Sequence, residues 1–255
     1  KNVEREVQKI MKLKHPSLIN FCRYSLKDFH DENKLTMMMN FAQNGSLAAL
    51  ISKARHSQTD KDIDNTIKQI ILIGIARAMM FLHHHHIIHR LLKMENVLLD
   101  ENFHPHLTEF FFTKVFTNEQ IKSQTKKCES WFYVAPEIID NKKFNGKADV
   151  YSFGIIMYEV LTELVPYPLY KKGKLSNSEF CQKVAQENYR PSFDIPVKKI
   201  FQQLIEQCWS ANPDDRPTFE DIFKKLAFQF ENSVYSTDDN EDNLYCLDGV
   251  DKDAM

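Results

Sequence analysis

The segment His89-Arg90-Leu91-Leu92-Lys93-Met94-Glu95-Asn96 constrains the fold of this chain more than any other stretch. It follows residues 67–84, where apolar residues recur at the spacing of a helix buried against a core. Four further motifs follow it in order: Leu107-Thr108-Glu109-Phe110-Phe111, Ala135-Pro136-Glu137, Asp149-Val150-Tyr151-Ser152-Phe153-Gly154 and Arg216-Pro217-Thr218. Motifs in a fixed order along most of a chain indicate one domain of defined topology rather than a chance match.

These motifs resemble those of the eukaryotic protein kinases, over residues 1–230 of the 255. Lys93 in the first motif and the Cys208-Trp209 pair near the end resemble the tyrosine-kinase-like group of Ser/Thr kinases. The resemblance implies an α+β, two-lobe fold with a partial β-rich N-lobe at residues 1–43 and a mainly helical C-lobe at 44–230. Residues 231–255 are acidic and lack an apolar period, so we expect a disordered tail there.

Leu91 stands where the protein kinases have the aspartate that accepts the proton of the substrate hydroxyl. A leucine side chain has no lone pair and no titratable proton, so it cannot act as a general base at any pH. His89 and Arg90, which precede it, match the family pattern. The resemblance therefore implies a phosphotransfer loop that has lost its base.

Lys93 and Asn96 stand where the family places a phosphate-facing lysine and a magnesium ligand. Glu109 replaces the aspartate that is the other magnesium ligand, and Phe111 replaces a glycine that helps this segment to flip. Glutamate is one methylene longer than aspartate, whereas magnesium requires near-ideal octahedral geometry. The resemblance implies a weakened magnesium site at Asn96 and Glu109, while pairing with Lys93 or exposure to solvent would also balance Glu109.

Residues 3–13 have helical apolar spacing and resemble the helix whose glutamate, here Glu6, pairs with the ATP-binding lysine of the family. We expect that lysine to be absent, because the chain starts too late for the strand that carries it. We expect no phosphate-cradling loop, because the six glycines are too far apart to form one. ATP and magnesium are the expected cofactors if binding is retained, and none otherwise. By resemblance, the remaining nucleotide contacts are Met39 at the gatekeeper position, Asn40, Ala42 and Leu98.

Local patterns predict several further elements. Residues 17–25 and 34–41 are strand-like and would form the remaining N-lobe sheet. Ser46 is a candidate helix N-cap, and Ser176 with Glu179 reads as a capping box. These patterns place the first helix of the larger lobe directly after the second strand.

Three structural anchors of the family are present in the sequence. Asp149 is expected to hold the backbone of the phosphotransfer loop, and Arg216 is expected to form a buried pair with Glu137. His89 is expected to stack on Phe110 in the core. By resemblance these five residues have structural roles.

Residues 112–131 match the activation segment of the family and have no clear period. Their hydroxyl groups make Thr117, Ser123 and Thr125 the phosphorylation candidates. Ser130 and Tyr133, near the end of the segment, correspond to the part that docks a peptide. This part would therefore select a partner or substrate.

Histidine and cysteine patterns do not favour a metal centre or a disulfide framework. The run His83-His84-His85-His86 could bind zinc or copper, but adjacent residues at a helix end point in different directions, so we prefer a basic helix terminus. The five cysteines form no Cys-x-x-Cys pair, which favours a reduced, cytoplasmic setting.

Composition restricts the class of partner. The chain has 33 basic and 35 acidic residues, which argues against general affinity for nucleic acid or anionic membrane. We expect no membrane segment, because no apolar run reaches the roughly 20 residues that a span needs. A protein partner or a protein substrate is expected instead.

Two functions follow from this sequence, and a third outcome stays open. The first is a catalytically impaired pseudokinase that acts as a scaffold or an allosteric partner. The alternative is an ATP-dependent protein Ser/Thr kinase with weak activity. The remaining possibility is a decayed gene product that does not fold stably.

Overall fold

The computed structural model describes residues 3–56, 63–110 and 131–235; Phe111, Thr117, Ser123 and Thr125 lie outside these ranges. Two antiparallel two-stranded sheets pair β1 (Phe21–Ser25) with β2 (Thr36–Met39) and β3 (Val97–Leu99) with β4 (Pro105–Leu107). The predicted α+β class, with few strands and many helices, is confirmed. The helices are α1 (Val3–Met11), α2 (Leu47–Arg55), α3 (Asn65–His84), α4 (Pro136–Ile139), α5 (Lys147–Thr162), α6 (Pro168–Lys171), α7 (Asn177–Gln186), α8 (Lys199–Cys208) and α9 (Phe219–Tyr235).

The first part of the chain consists of α1 and the β1–β2 hairpin. Both predicted strands were too long, because 17–25 begins its strand at Phe21 and 34–41 is a strand only over Thr36–Met39. Residues 17–19 bond to β4 instead, with Ile19 N donating to Leu107 O at 2.9 Å and Leu107 N donating to Ser17 O at 2.9 Å. This cross-connection ties the smaller part of the domain to the larger one.

Helix α3 is the central helix against which β4 and α9 pack. It begins after Asp64, whose carboxylate accepts a hydrogen bond from Ile67 N at 2.7 Å, as an N-cap does. A Cβ at Gly74 would lie 2.4 Å from Cγ of Pro105, so only glycine permits this approach of helix and strand. Among the described residues α3 alone is long and apolar enough to cross a membrane, and half of that stretch is buried inside the domain, as in a core helix.

The last helix extends past the predicted C-terminal boundary of the domain. Helix α9 runs through residues 231–235, which were assigned to the tail, and residues 236–255 lie outside the described part. The apolar spacing predicted from the sequence ends at Phe230. The helix continues beyond it because adding a residue to an existing helix needs no new nucleus. The first five residues of the expected tail are thus helical, and the domain division at residue 230 stays a prediction.

Candidate functional site

Asp149 organises the loop that carries the candidate site. Its carboxylate accepts hydrogen bonds from His89 N at 2.9 Å and from Arg90 N at 2.8 Å, and it lies 2.8 Å from Nε2 of His83. Only 1% of Asp149 is exposed. Arg90 has a φ of 64°, a conformation that costs a non-glycine residue roughly 1 to 2 kcal/mol, so these bonds must stabilise the loop. The expected anchoring of the backbone is present.

His89 lies at the centre of the loop and is completely buried. Burial lowers the pKa of its imidazole, and the nearby Asp149 carboxylate only partly opposes this. Nδ1 accepts a hydrogen bond from Leu91 N at 3.3 Å, which a neutral ring permits. Phe110 is buried too, with its ring centroid 5.8 Å from that of Phe21, and its stacking on His89 stays a prediction.

Leu91 and Asn96 are joined directly. Asn96 Nδ2 donates to the carbonyl oxygen of Leu91 at 2.6 Å, so the loop closes on itself around the position of the missing base. Asn96 O accepts hydrogen bonds from Thr108 N at 2.9 Å and from Thr108 Oγ1 at 3.1 Å. Because Glu109 follows Thr108, these bonds hold Glu109 beside the loop.

Glu109 is half-buried and has a φ of 64°. Burial raises the pKa of its carboxyl, and the charge of Lys93 acts in the opposite direction. The charge of Lys93 is therefore one factor that balances this carboxylate, and the partial exposure of Glu109 is another.

The donor set fits one magnesium ion shared with phosphate oxygens. Asn96 uses Nδ2 to bond the loop, so Oδ1 is the atom left for a cation, and Glu109 contributes a carboxylate. Magnesium in proteins is bound through one or two carboxylates, waters and substrate phosphates rather than by an all-protein cage. The two side chains meet that requirement without supplying a complete shell.

The predicted nucleotide contacts lie in different surroundings. The Glu6 carboxylate is 2.8 Å from Nζ of Lys9, and Glu6 lines a cavity of about 210 Å³ beneath α1. Asn40 and Ala42 line a different cavity, of about 740 Å³. Met39 ends β2 and is 44% exposed, and Leu98 is half-buried in β3. A single nucleotide site formed by these residues stays a prediction.

The segment expected to dock a peptide is hydrogen-bonded to a buried carboxylate, that of Glu159. Tyr133, in the short 3-10 helix Trp131–Tyr133, donates its hydroxyl to Glu159 of α5, and Arg55 Nη2 lies 2.8 Å from Oε1 of the same residue. Burial raises the pKa of Glu159 and raises that of Tyr133 well above its usual range. Sequence reasoning missed Glu159 and Arg55, although a glutamate within the apolar run of α5 was a usable signal.

The histidine run divides among different partners. His83 contacts Asp149, and the ring of His85 lies 4.2 Å from that of Phe81. Within the described ranges no group of His, Cys, Asp and Glu is arranged to hold a metal ion. The contact of His83 with the loop anchor was not expected from the sequence.

Comparison with known proteins places the chain beside protein kinases. The family described as "Protein tyrosine and serine/threonine kinase" matches residues 1–226. A probable serine/threonine-protein kinase of Dictyostelium discoideum is 34% identical over 229 residues, which cover 88% of this chain and 16% of that protein. The dual specificity protein kinase zakA of the same organism is 29% identical, covering 87% of this chain and 29% of that protein. Serine/threonine-protein kinase 12 of Arabidopsis thaliana is 29% identical, covering 87% and 46%. The chain thus spans less than half the length of each relative.

Proposed function

This chain belongs to the protein tyrosine and serine/threonine kinase family, and we propose that it is a pseudokinase, which acts as a scaffold or an allosteric partner in signalling. The observation that carries this proposal is the presence of Leu91 in a loop whose backbone contacts are otherwise kept. Asp149 bonds the backbone of that loop, and Asn96 closes it. The frame of the phosphotransfer loop is kept, and the chemical group is missing.

The loss at Leu91 affects one defined step. ATP held with magnesium would supply the phosphoryl group, and Asn96 and Glu109 are the residues that would hold the ion. The hydroxyl of a protein substrate must lose its proton as phosphate transfers, and Leu91 offers no acceptor. Loss of general-base assistance costs about 10²- to 10⁴-fold in rate. Phosphotransfer slowed to that extent would contribute little, so we favour the binding of a protein partner as the function of this domain.

The part of the domain that meets a partner supports a binding role. Tyr133 is hydrogen-bonded to Glu159, which Arg55 also contacts. These buried contacts support the expected docking segment from inside the domain. This support does not involve Leu91. A domain that no longer needs phosphotransfer would still use it to position a partner.

The test compares three forms of the product of the complete gene in a phosphotransfer assay. The wild-type protein is expected to transfer no measurable phosphate to a peptide, whereas Leu91→Asp regains transfer. Leu91→Asn is the matched control, because the amide has the shape of aspartate without its basicity. Transfer by the wild-type protein at a rate that Leu91→Asp does not increase would refute the proposal.

A weakly active Ser/Thr kinase is the second candidate. Thr108, the neighbour of Glu109, donates two hydrogen bonds to Asn96 O, so the backbone of Glu109 is held next to the loop that carries the other expected oxygen donor. Phosphoryl transfer through a loose transition state needs little help from a base. The relatives named as serine/threonine kinases agree with this candidate. Magnesium-dependent transfer by the wild-type protein that Asn96→Ala abolishes would favour it.

A further inference from the structure

The end of α6 and the turn that follows it carry three lysines around one glycine. Lys171, Lys172 and Lys174 are exposed, and we call residues 171–174 the lysine turn. Its backbone is fixed, because Gly173 N donates to Tyr170 O at 2.9 Å and Lys174 N donates to Leu169 O at 2.9 Å. Gly173 has a φ of 68°, which glycine adopts without strain. The three lysine side chains therefore extend from a backbone whose conformation is fixed.

The positive charge of the lysine turn is not neutralised within the described part of the chain. No carboxylate there forms an ion pair with any of its three ammonium groups, whereas Lys183 of α7 pairs with Glu187 at 3.0 Å. Glu179, in the first turn of α7, accepts hydrogen bonds from Ser176 N at 2.8 Å and Ser176 Oγ at 2.6 Å. Glu179, the acidic side chain that follows the turn, is therefore engaged in the cap of α7 and not with the lysines.

An exposed apolar side chain and an aromatic cluster adjoin the lysine turn. Leu169 is 47% exposed, and the ring of Tyr170 stacks on Phe180 with centroids 4.2 Å apart. Tyr170 also meets Phe132, of the predicted docking segment, with centroids 6.3 Å apart. The lysine turn therefore follows a helix, α6, that packs against the predicted docking segment.

We propose that the lysine turn and Leu169 bind an acidic segment of a partner protein. Carboxylates of the segment would meet the ammonium groups, and an apolar side chain next to them would lie on Leu169. Complementary charge speeds association and rejects basic partners, and the apolar contact fixes the position of the segment. This inference deepens the proposed function by naming the chemistry of the partner, and it rests on that function only in assuming that the domain binds one.

The experiment measures binding of fluorescently labelled peptides to the full chain by anisotropy, across a series of salt concentrations. The probe is an acidic peptide that ends in a pair of leucines, beside an amide peptide with Asn and Gln in place of the acids. The test variant is Lys171→Ala/Lys172→Ala/Lys174→Ala. The control is Lys143→Ala/Lys198→Ala/Lys199→Ala, which removes the same charge from exposed lysines elsewhere.

The test variant is expected to bind the acidic peptide about tenfold more weakly at low salt, because three exposed charge pairs are lost. The control variant and the amide peptide should reveal whether position and charge both matter: the control keeps its affinity, and the amide peptide binds weakly to every form. Leu169→Ser should also weaken binding, without changing its dependence on salt.

Equal losses in the test and control variants would refute the proposal, since they would reflect net charge alone. An unchanged affinity in the test variant would refute it as well. The assay contains no nucleotide and measures no phosphotransfer. An active wild-type kinase would therefore overturn the proposed function and leave the result at the lysine turn standing.

Discussion

Arg216 binds Glu137 through two parallel hydrogen bonds, Nη1 to Oε1 at 2.7 Å and Nη2 to Oε2 at 2.8 Å. The side chain of Arg216 is completely buried, and that of Glu137 is 6% exposed. Arg216 also donates to Ser210 O and to Lys147 O, each at 2.9 Å. The pair therefore joins the end of the docking segment to the base of the helical lobe.

Arg216→Met is expected to lower the free energy of unfolding by about 3 to 5 kcal/mol, because it leaves the Glu137 carboxylate buried without a partner. Denaturation in urea measures this loss. Adding Glu137→Leu should restore only part of it, since the carbonyls of Ser210 and Lys147 still lack donors. A double variant as unstable as Arg216→Met alone would contradict this account.

Asp149→Asn should destabilise the domain by about 3 kcal/mol, because the amide group of asparagine cannot accept from both backbone N–H groups that the carboxylate now bonds. Amide hydrogen exchange at His89 and Arg90 should increase at the same time. Asp214→Asn, at an exposed aspartate, is the control. Unchanged exchange at the two loop amides would show that Asp149 does not hold the loop.

His15 predicts a dependence of stability on pH. Burial, with a smaller effect of Arg77, lowers the pKa of its imidazole from 6.5 to about 4. The unfolded chain therefore binds the proton more tightly, so this contribution to stability is fully present above pH 6.5 and is lost as the pH falls toward about 4. Its size is about 1 kcal/mol after allowance for screening of the partly exposed ring.

The contacts of His15 favour its neutral form. Nδ1 accepts a hydrogen bond from Ser17 N at 3.1 Å, and the ring lies 4.9 Å from that of Phe81. His15→Asn keeps an acceptor and does not titrate. Urea midpoints should therefore converge for the two proteins as the pH is lowered. His30→Asn, at an exposed site, provides the control, and a difference that stays constant with pH would disprove the assignment.

Gly154 predicts an overpacked variant. A Cβ at this position would lie 2.8 Å from Cβ of Cys208, across the contact of α5 and α8. Gly154→Ala is therefore expected to destabilise the domain by about 1 to 3 kcal/mol despite the better helix propensity of alanine. Combination with Cys208→Gly should cost less than the sum of the two single changes, as thermal unfolding would show. Additive effects would mean that the two positions do not meet.

Local chemistry could be predicted well from the sequence. Ser46 caps α2 by accepting from Ala49 N at 3.2 Å, and the capping box of Ser176 and Glu179 forms at the start of α7. A cap depends on side chains within three residues of each other, so spacing alone identifies it. The same holds for the helical periods of α1 and α3, whose predicted limits were correct to within about two residues.

Long-range contacts were harder to predict. Residues 17–19 had a strand-like composition, but β4 took their hydrogen bonds. Glu159 lies in an apolar stretch of the sequence, and only the fold brings Tyr133 and Arg55 to it. These partners are remote in the chain, and no local period encodes which of them meet.

The sequence by itself determined that position 91 has no base, because that follows from the chemistry of leucine in any fold. It also determined the order of the motifs, and with it the family. Only the tertiary structure decided that Asp149 holds His83 as well as the loop, that Thr108 bonds to Asn96, and that Tyr170, which precedes the lysine turn, contacts Phe132. The physical reason is that composition and spacing act locally, whereas proximity between distant segments arises from packing of the whole domain.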